Sequence, residues 1–191
     1  MQAKTNTSWV VCGPLYLAVV TILCAFPAWK FANYGPLPDF LVFLESFKNA
    51  AAGELFTNRP HYLQQMAKMG IDPLPGTTAS MFGLHFQPFV FFLLPLFRLF
   101  PSPYTLLVVQ AGIVATTIFP LHRLFVKRLQ SPLLALAATL CLIFHPVFLG
   151  STTGFFPSYL AIALLSWALF FLDLRRSMLS VFFLLLTLML K

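Results

Sequence analysis

The sequence predicts an all-α, polytopic membrane protein of about five transmembrane helices, with surface and re-entrant helices in a long first outer loop. Three observations predict it. The chain is 59% hydrophobic and only 9% charged, where a soluble domain carries about a quarter charged residues. Residues 5–29, 99–122 and 129–172 contain no Lys, Arg, Asp or Glu. Crossing about 30 Å of hydrocarbon at 1.5 Å per residue needs uncharged apolar runs near 20 residues. Four of the five acidic residues, Asp39, Glu45, Glu54 and Asp72, fall in one polar segment, which marks where polar chemistry has room outside the bilayer.

Residues 1–29 hold the first span, Trp9–Trp29. It reads as an uncleaved signal anchor. Its apolar stretch exceeds the roughly 7–15 residues of a signal-peptide core, and no small-x-small cleavage site follows. Gly13 and Pro14 either kink it or are simply tolerated, as in other membrane helices.

Residues 30–103 form the outer loop. Within it, residues 30–80 carry four basic side chains (Lys30, Lys48, Arg59, Lys68) against the four acids, so the segment is polar but neutral. Asp39–Ala52 predicts an amphipathic helix. Phe40, Phe43, Leu44 and Phe47 recur at i, i+3, i+4 and i+7, with Glu45 and Lys48 off that stripe. Pro38-Asp39 is a start signal and Gly53 a stop. Such a helix is expected to lie along the membrane surface. The densest apolar part of the following segment, Pro88–Phe97, is ten residues long, holds two prolines and precedes Arg98. That length predicts an interfacial or re-entrant piece rather than a crossing.

Residues 104–191 form the transmembrane bundle. Tyr104–Leu121 is a span, followed by a basic loop, residues 122–131, with Arg123, Lys127 and Arg128. Short basic loops stay in the cytoplasm. With Lys4 inside and residues 30–80 outside, a single crossing separates residue 80 from residue 123. Either residues 83–100 or residues 104–121 cross, and the longer, proline-poor run is the better candidate. Spans at Leu133–Leu149 and Ser158–Leu172 follow, joined by a short outer loop, Gly150–Pro157. Asp173–Arg176 is again basic and again inside. The last apolar run, Ser177–Leu190, is only 14 residues when Lys191 ends the sequence. A span needs about 20, so the chain is expected to be cut off within its last helix. The expected location is the plasma membrane of a bacterial or archaeal cell, multi-pass, with a cytoplasmic amino terminus.

The net charge of +7 follows from basic residues held at that cytoplasmic face, so the expected partner is the lipid bilayer and not nucleic acid. Cys12, Cys24 and Cys141 all lie in apolar runs and read as small core hydrophobes rather than disulfide or metal ligands. No phosphate loop, Ser–His–Asp signature or zinc spacing is present. Asn6-Thr-Ser matches a glycosylation sequon on the inner side, where it has no meaning.

HFQPFVFFLLPLFRLFPSPYTLLVVQA, PLHRLFVKRLQSPLLAL and HPVFLG together resemble the predicted membrane proteins grouped as domain-of-unknown-function 2079. The resemblance covers roughly residues 34–191, and its HF-x-P…LFPSP stretch is the most specific part. That family resembles the membrane glycosyltransferases of the C fold. The resemblance implies a sugar donor carried on polyprenyl phosphate and a possible need for a divalent metal. The family's helix ending Asn-x-Ala-x-Gly matches Asn49-Ala-Ala-Ala-Gly53, which puts its Asp on Asp39; Pro38 stands where its Tyr would be. Its His is His85. Its outer-loop Asp-Phe-His-Pro-Glu string is replaced by Gly154-Phe-Phe-Pro-Ser158, and its chains run further than Lys191.

Sugar transfer to a hydroxyl needs a base near the hydroxyl and positive charge or metal on the departing phosphate. Asp39 is the candidate base, or else a helix-capping residue. Glu45 is a candidate substrate or metal contact, or a solvated face residue. His85 is a candidate phosphate or acceptor contact, or a water-satisfied interfacial histidine. Arg98 is a candidate lipid-phosphate partner, or it snorkels to the headgroups. The expected function is that of a lipid-linked-sugar glycosyltransferase, inactive as this chain alone. The alternative is a non-catalytic membrane subunit that binds a lipid or a second membrane protein. A transporter is disfavoured, because carriers place ionisable groups within their spans.

Overall fold

A computed structural model describes residues 6–35, 38–54, 56–58, 63, 66–70, 72, 79–80, 87–145 and 154–190 of the chain. Among these residues the fold is all-helical, apart from a two-residue antiparallel pair, β1 (Thr57–Asn58) with β2 (Ala79–Ser80). Helix α1 (Asn6–Tyr34, 29 residues) runs through Pro14 and Pro27 without interruption. Gly13 and Pro14 both lie inside it.

Helix α2 (Pro38–Ala51) matches the predicted amphipathic segment. Its stripe has a different use from the one expected. Phe40, Phe43, Leu44 and Phe47 are all buried against protein, so the helix does not lay that face on the bilayer. The partners come from distant sequence: Phe47 meets Phe56, Phe97 and Phe155 at 5.4–5.8 Å between ring centroids, and Phe43 meets Phe155 at 5.7 Å. Aromatic partners remove the side chains from water and from lipid together, with edge-to-face geometry in most pairs.

Helix α3 (Val90–Leu99) is ten residues long and contains Pro95, in line with the short segment expected there. Helix α4 (Pro103–Ala115) starts at Ser102, whose side chain accepts from the Tyr104 N–H, with Pro103 in the first turn. A two-residue turn, Thr116-Thr117, separates it from α5 (Ile118–Leu129). Helix α6 (Pro132–Ile143) is capped by Ser131, which accepts from Leu134 N–H. A 3₁₀ turn, Pro157–Tyr159, leads into α7 (Leu160–Asp173), and α8 is Ser177–Leu188.

One expectation is corrected. Residues 122–129 are the last turns of α5, not a loop. The basic side chains carried the loop reading, yet nothing in Leu121–Leu129 breaks a helix. The break comes at Gln130, in the left-handed conformation at φ 54°, followed by Ser131-Pro132. His122 is consequently buried rather than exposed. The expected span Leu133–Leu149 is helical to Ile143, and its last part lies outside the described residues.

Contacts sort the helix ends into two groups. Tyr16 O–H lies 3.5 Å from the Gly112 carbonyl and Phe31 meets the Tyr104 ring at 5.4 Å, so α1 and α4 run antiparallel. The end of α1, α2, the start of α4, Gly154–Tyr159 and the end of α8 share one end of the bundle; Phe89 N–H bonds Met189 O there at 3.2 Å. The ends of α5 and α7 share the other, where Lys127 Nζ lies 2.6 Å from Asp173 Oδ1.

The outer surface is inverted relative to a soluble protein. Met178, Leu133, Leu188 and Leu17 are 84, 75, 73 and 66% exposed, while Ser46, Gln110, Thr139, Ser166 and Ser180 are buried. Soluble monomers rarely expose apolar surface on that scale. Buried Thr139 and Ser166 bond the carbonyls of Ala135 and Ile162, four residues back, as polar side chains do between membrane helices. Gly13–Tyr34 (22 residues) and Pro103–Leu129 (27 residues) are long and apolar enough to cross a membrane; Pro157–Asp173, α3, α6 and α8 are shorter apolar helices.

Candidate functional site

The candidate residues divide between α2, the loop it packs on, and α3. Asp39 is exposed in the first turn of α2, just after Pro38. It stands inside the helix rather than at the capping position before it, where its charge still faces the positive end of the helix dipole. Glu45 is half-buried. Six helical positions separate the two, about 120° around the axis and about 9 Å along it. They therefore do not share a face.

The Asn49–Gly53 sequence has a backbone explanation. Gly53 takes φ 100°. Its N–H bonds Ala50 O at 3.3 Å, and Glu54 N–H bonds Asn49 O at 2.9 Å, which closes α2 with a Schellman motif. Asn49 Nδ2 then donates to Thr57 O at 2.8 Å, and Thr57 Oγ1 donates to Glu54 Oε2 at 2.9 Å. So Glu54 is occupied in holding β1 against the helix end.

Arg98 makes a contact that neither expected role includes. Its Nη2 donates to Ala50 O at 3.1 Å. The last turn of α3 thus places a cation on a terminal carbonyl of α2, which suits the negative end of that helix. His85 lies outside the described residues.

One residue that sequence reasoning passed over organises this end. Gln110 is 1% exposed in the middle of α4. Its Nε2 donates to Gly154 O at 2.8 Å and its Oε1 accepts from Phe156 N–H at 2.8 Å. The amide satisfies both backbone groups of Gly154–Phe156, as a neighbouring strand would. With the loop so held, Phe155 is fully buried between Phe43 and Phe47. The available signal was a lone amide in the charge-free run 99–122, since a polar side chain inside a membrane helix needs a partner.

Among the described residues, no three His, Cys, Asp or Glu come together. The segment's end of the bundle is also marked by aromatic side chains with polar tips. Trp29 and Tyr34 are exposed and meet at 5.6 Å, and Tyr104 is exposed nearby. Such rings favour the level of the lipid headgroups.

The family model described as "Predicted membrane protein (DUF2079)" matches residues 39–191. No curated protein and no solved structure matches the chain.

Proposed function

This chain belongs to the DUF2079 family of predicted membrane proteins, and from that premise we propose that it is a multi-pass plasma-membrane protein of the lipid-linked-sugar transferase kind. In this reading the α2 end faces outward and Asp39 serves as general base. Asp39 takes the proton of an acceptor hydroxyl, and the oxygen forms a bond to the anomeric carbon. The bond from that carbon to the phosphate oxygen breaks, and polyprenyl phosphate leaves. The observation that carries the reading is the seating of α2. Its aromatic stripe is buried in the bundle end, which leaves Asp39 exposed beside the apolar belt, where a lipid-borne donor and a water-borne acceptor can meet.

In the same reading the isolated chain is silent and acts with groups supplied by further protein. Asp39 and Glu45 lie on different sides of α2, so the helix does not aim both carboxylates at one substrate. The test is transfer from a polyprenyl-phosphate hexose in membranes holding the chain together with its native membrane partners. Asp39→Asn should lower turnover by roughly 10²-fold or more while expression is unchanged. Equal turnover in that variant would remove the base assignment.

A specific observation favours a second reading, a non-catalytic subunit. Gly154–Ser158 is where the resemblance would put Asp, His and Glu, and there the chain holds a Gln110-pinned loop with Phe155 as its plug. Stable copurification of a second membrane protein, with no transfer by either chain or by the pair, would select this reading.

A further inference from the structure

We propose that the ends of α5 and α7 form a binding site for an anionic phospholipid. Two basic runs far apart in sequence are joined there. Lys127 Nζ holds both carboxylate oxygens of Asp173, at 2.6 and 2.7 Å. The pair brings Arg123, Lys127 and Arg128 of α5 next to Arg175 and Arg176 of the α7–α8 turn. Arg123 also lies 5.7 Å from the Phe170 ring centroid, one turn before Asp173. Among the described residues, five cations and a single carboxylate therefore gather at one end of the bundle.

The turn itself places charge against the backbone's preference. Arg176 N–H bonds Phe171 O at 2.9 Å and Arg175 N–H bonds Leu172 O at 2.9 Å, the same Schellman closure that ends α2. At α2 the left-handed position holds Gly53; at α7 it holds Arg175, with φ 56°. A residue with a Cβ is disfavoured there relative to glycine. The sequence keeps a cation where glycine would relieve the backbone.

What lies next to the cations names the ligand. Leu133, Leu134, Leu172 and Met178 are 75, 59, 58 and 84% exposed in the turns flanking the basic residues. Cations above an exposed apolar skirt fit a molecule with an anionic head and acyl chains. A free phosphate would use the cations and leave the skirt uncovered. Basic residues at a membrane surface attract anionic lipid individually and add up, and Arg forks match phosphate oxygens. This site is independent of any activity at Asp39.

The test uses the full chain, purified in a neutral detergent and titrated with phosphatidylglycerol or phosphatidylcholine, with retained lipid counted by native mass spectrometry. The chain should retain phosphatidylglycerol over phosphatidylcholine, and high salt should weaken the preference. Arg175→Gly with Arg176→Gln should reduce the preference by roughly 30-fold at low salt. Arg175→Gly alone should leave the thermal unfolding midpoint unchanged or higher, because glycine relieves the turn, and still lower lipid retention. Equal retention of the two lipids by the unmodified chain overturns the proposal. So does an undiminished preference in the double variant, or displacement of the lipid by millimolar inorganic phosphate, which would make the site one for free anions.

Discussion

Gln110 shows how one side chain decides local geometry. A buried backbone N–H or C=O left without a partner is destabilising by about 1–3 kcal/mol, and Gln110 satisfies one of each. Gln110→Leu keeps the apolar volume and removes both bonds. It should lower the stability of the reconstituted protein by about 2–4 kcal/mol, read from denaturant or SDS unfolding. It should also free Phe155, so that a cysteine replacing exposed Ser158 labels faster than in the parent chain. Unchanged stability and labelling would mean that the aromatic contacts alone hold the loop. Arg98 makes a weaker version of the same point. Its bond to Ala50 O sits at an exposed guanidinium, where solvent screening limits the effect.

At the scale of the element, α2 was the most legible part of the sequence. Its Phe40, Phe43, Leu44, Phe47 spacing, its proline start and its glycine stop fixed the helix to within a residue at each end. What covers the stripe was not legible. Bilayer and protein interior are both apolar, so periodicity alone cannot tell a membrane-lying helix from a docked one. The ring partners Phe97 and Phe155 are about 50 and 108 positions away from Phe47, and no local pattern announces such pairings. The helical end of α5 was missed for a related reason. Charge reports exit from the hydrocarbon, whereas a helix ends only where backbone geometry ends it. Docking makes a clear prediction for α2. Phe47→Ala removes a fully buried ring and should destabilise the protein by about 3–5 kcal/mol, while Leu41→Ala, at an exposed position, should change stability by about 0.5 kcal/mol or less. Similar, small effects at both positions would return α2 to the lipid surface.

At the scale of the molecule, two ends of opposite character are built from one set of helices. The α5–α7 end carries Arg123, Lys127, Arg128, Arg175 and Arg176 against Asp173 alone, while the α2 end balances Asp39, Glu45 and Glu54 against Lys30, Lys48 and Arg98. The sequence disclosed this division because charges are few and their order along the chain follows the order of the helix ends. It did not disclose the helix lengths. Only two described helices reach spanning length, and residues 146–153 are outside the described residues. In the proposed topology, retention of basic segments on the cytoplasmic side would put the α5–α7 end inside and the α2 end outside. That orientation is open to direct measurement. With Cys12, Cys24 and Cys141 replaced by alanine, Lys48→Cys and Arg128→Cys each place one thiol at an exposed position. A membrane-impermeant maleimide added to intact cells should modify position 48 and reach position 128 only after permeabilisation. The two sites lie on opposite ends of one bundle, so a single orientation cannot label both. The reverse pattern would put Asp39 in the cytoplasm and the cationic lipid site outside, and it would overturn the outward-facing donor site while leaving the fold unchanged.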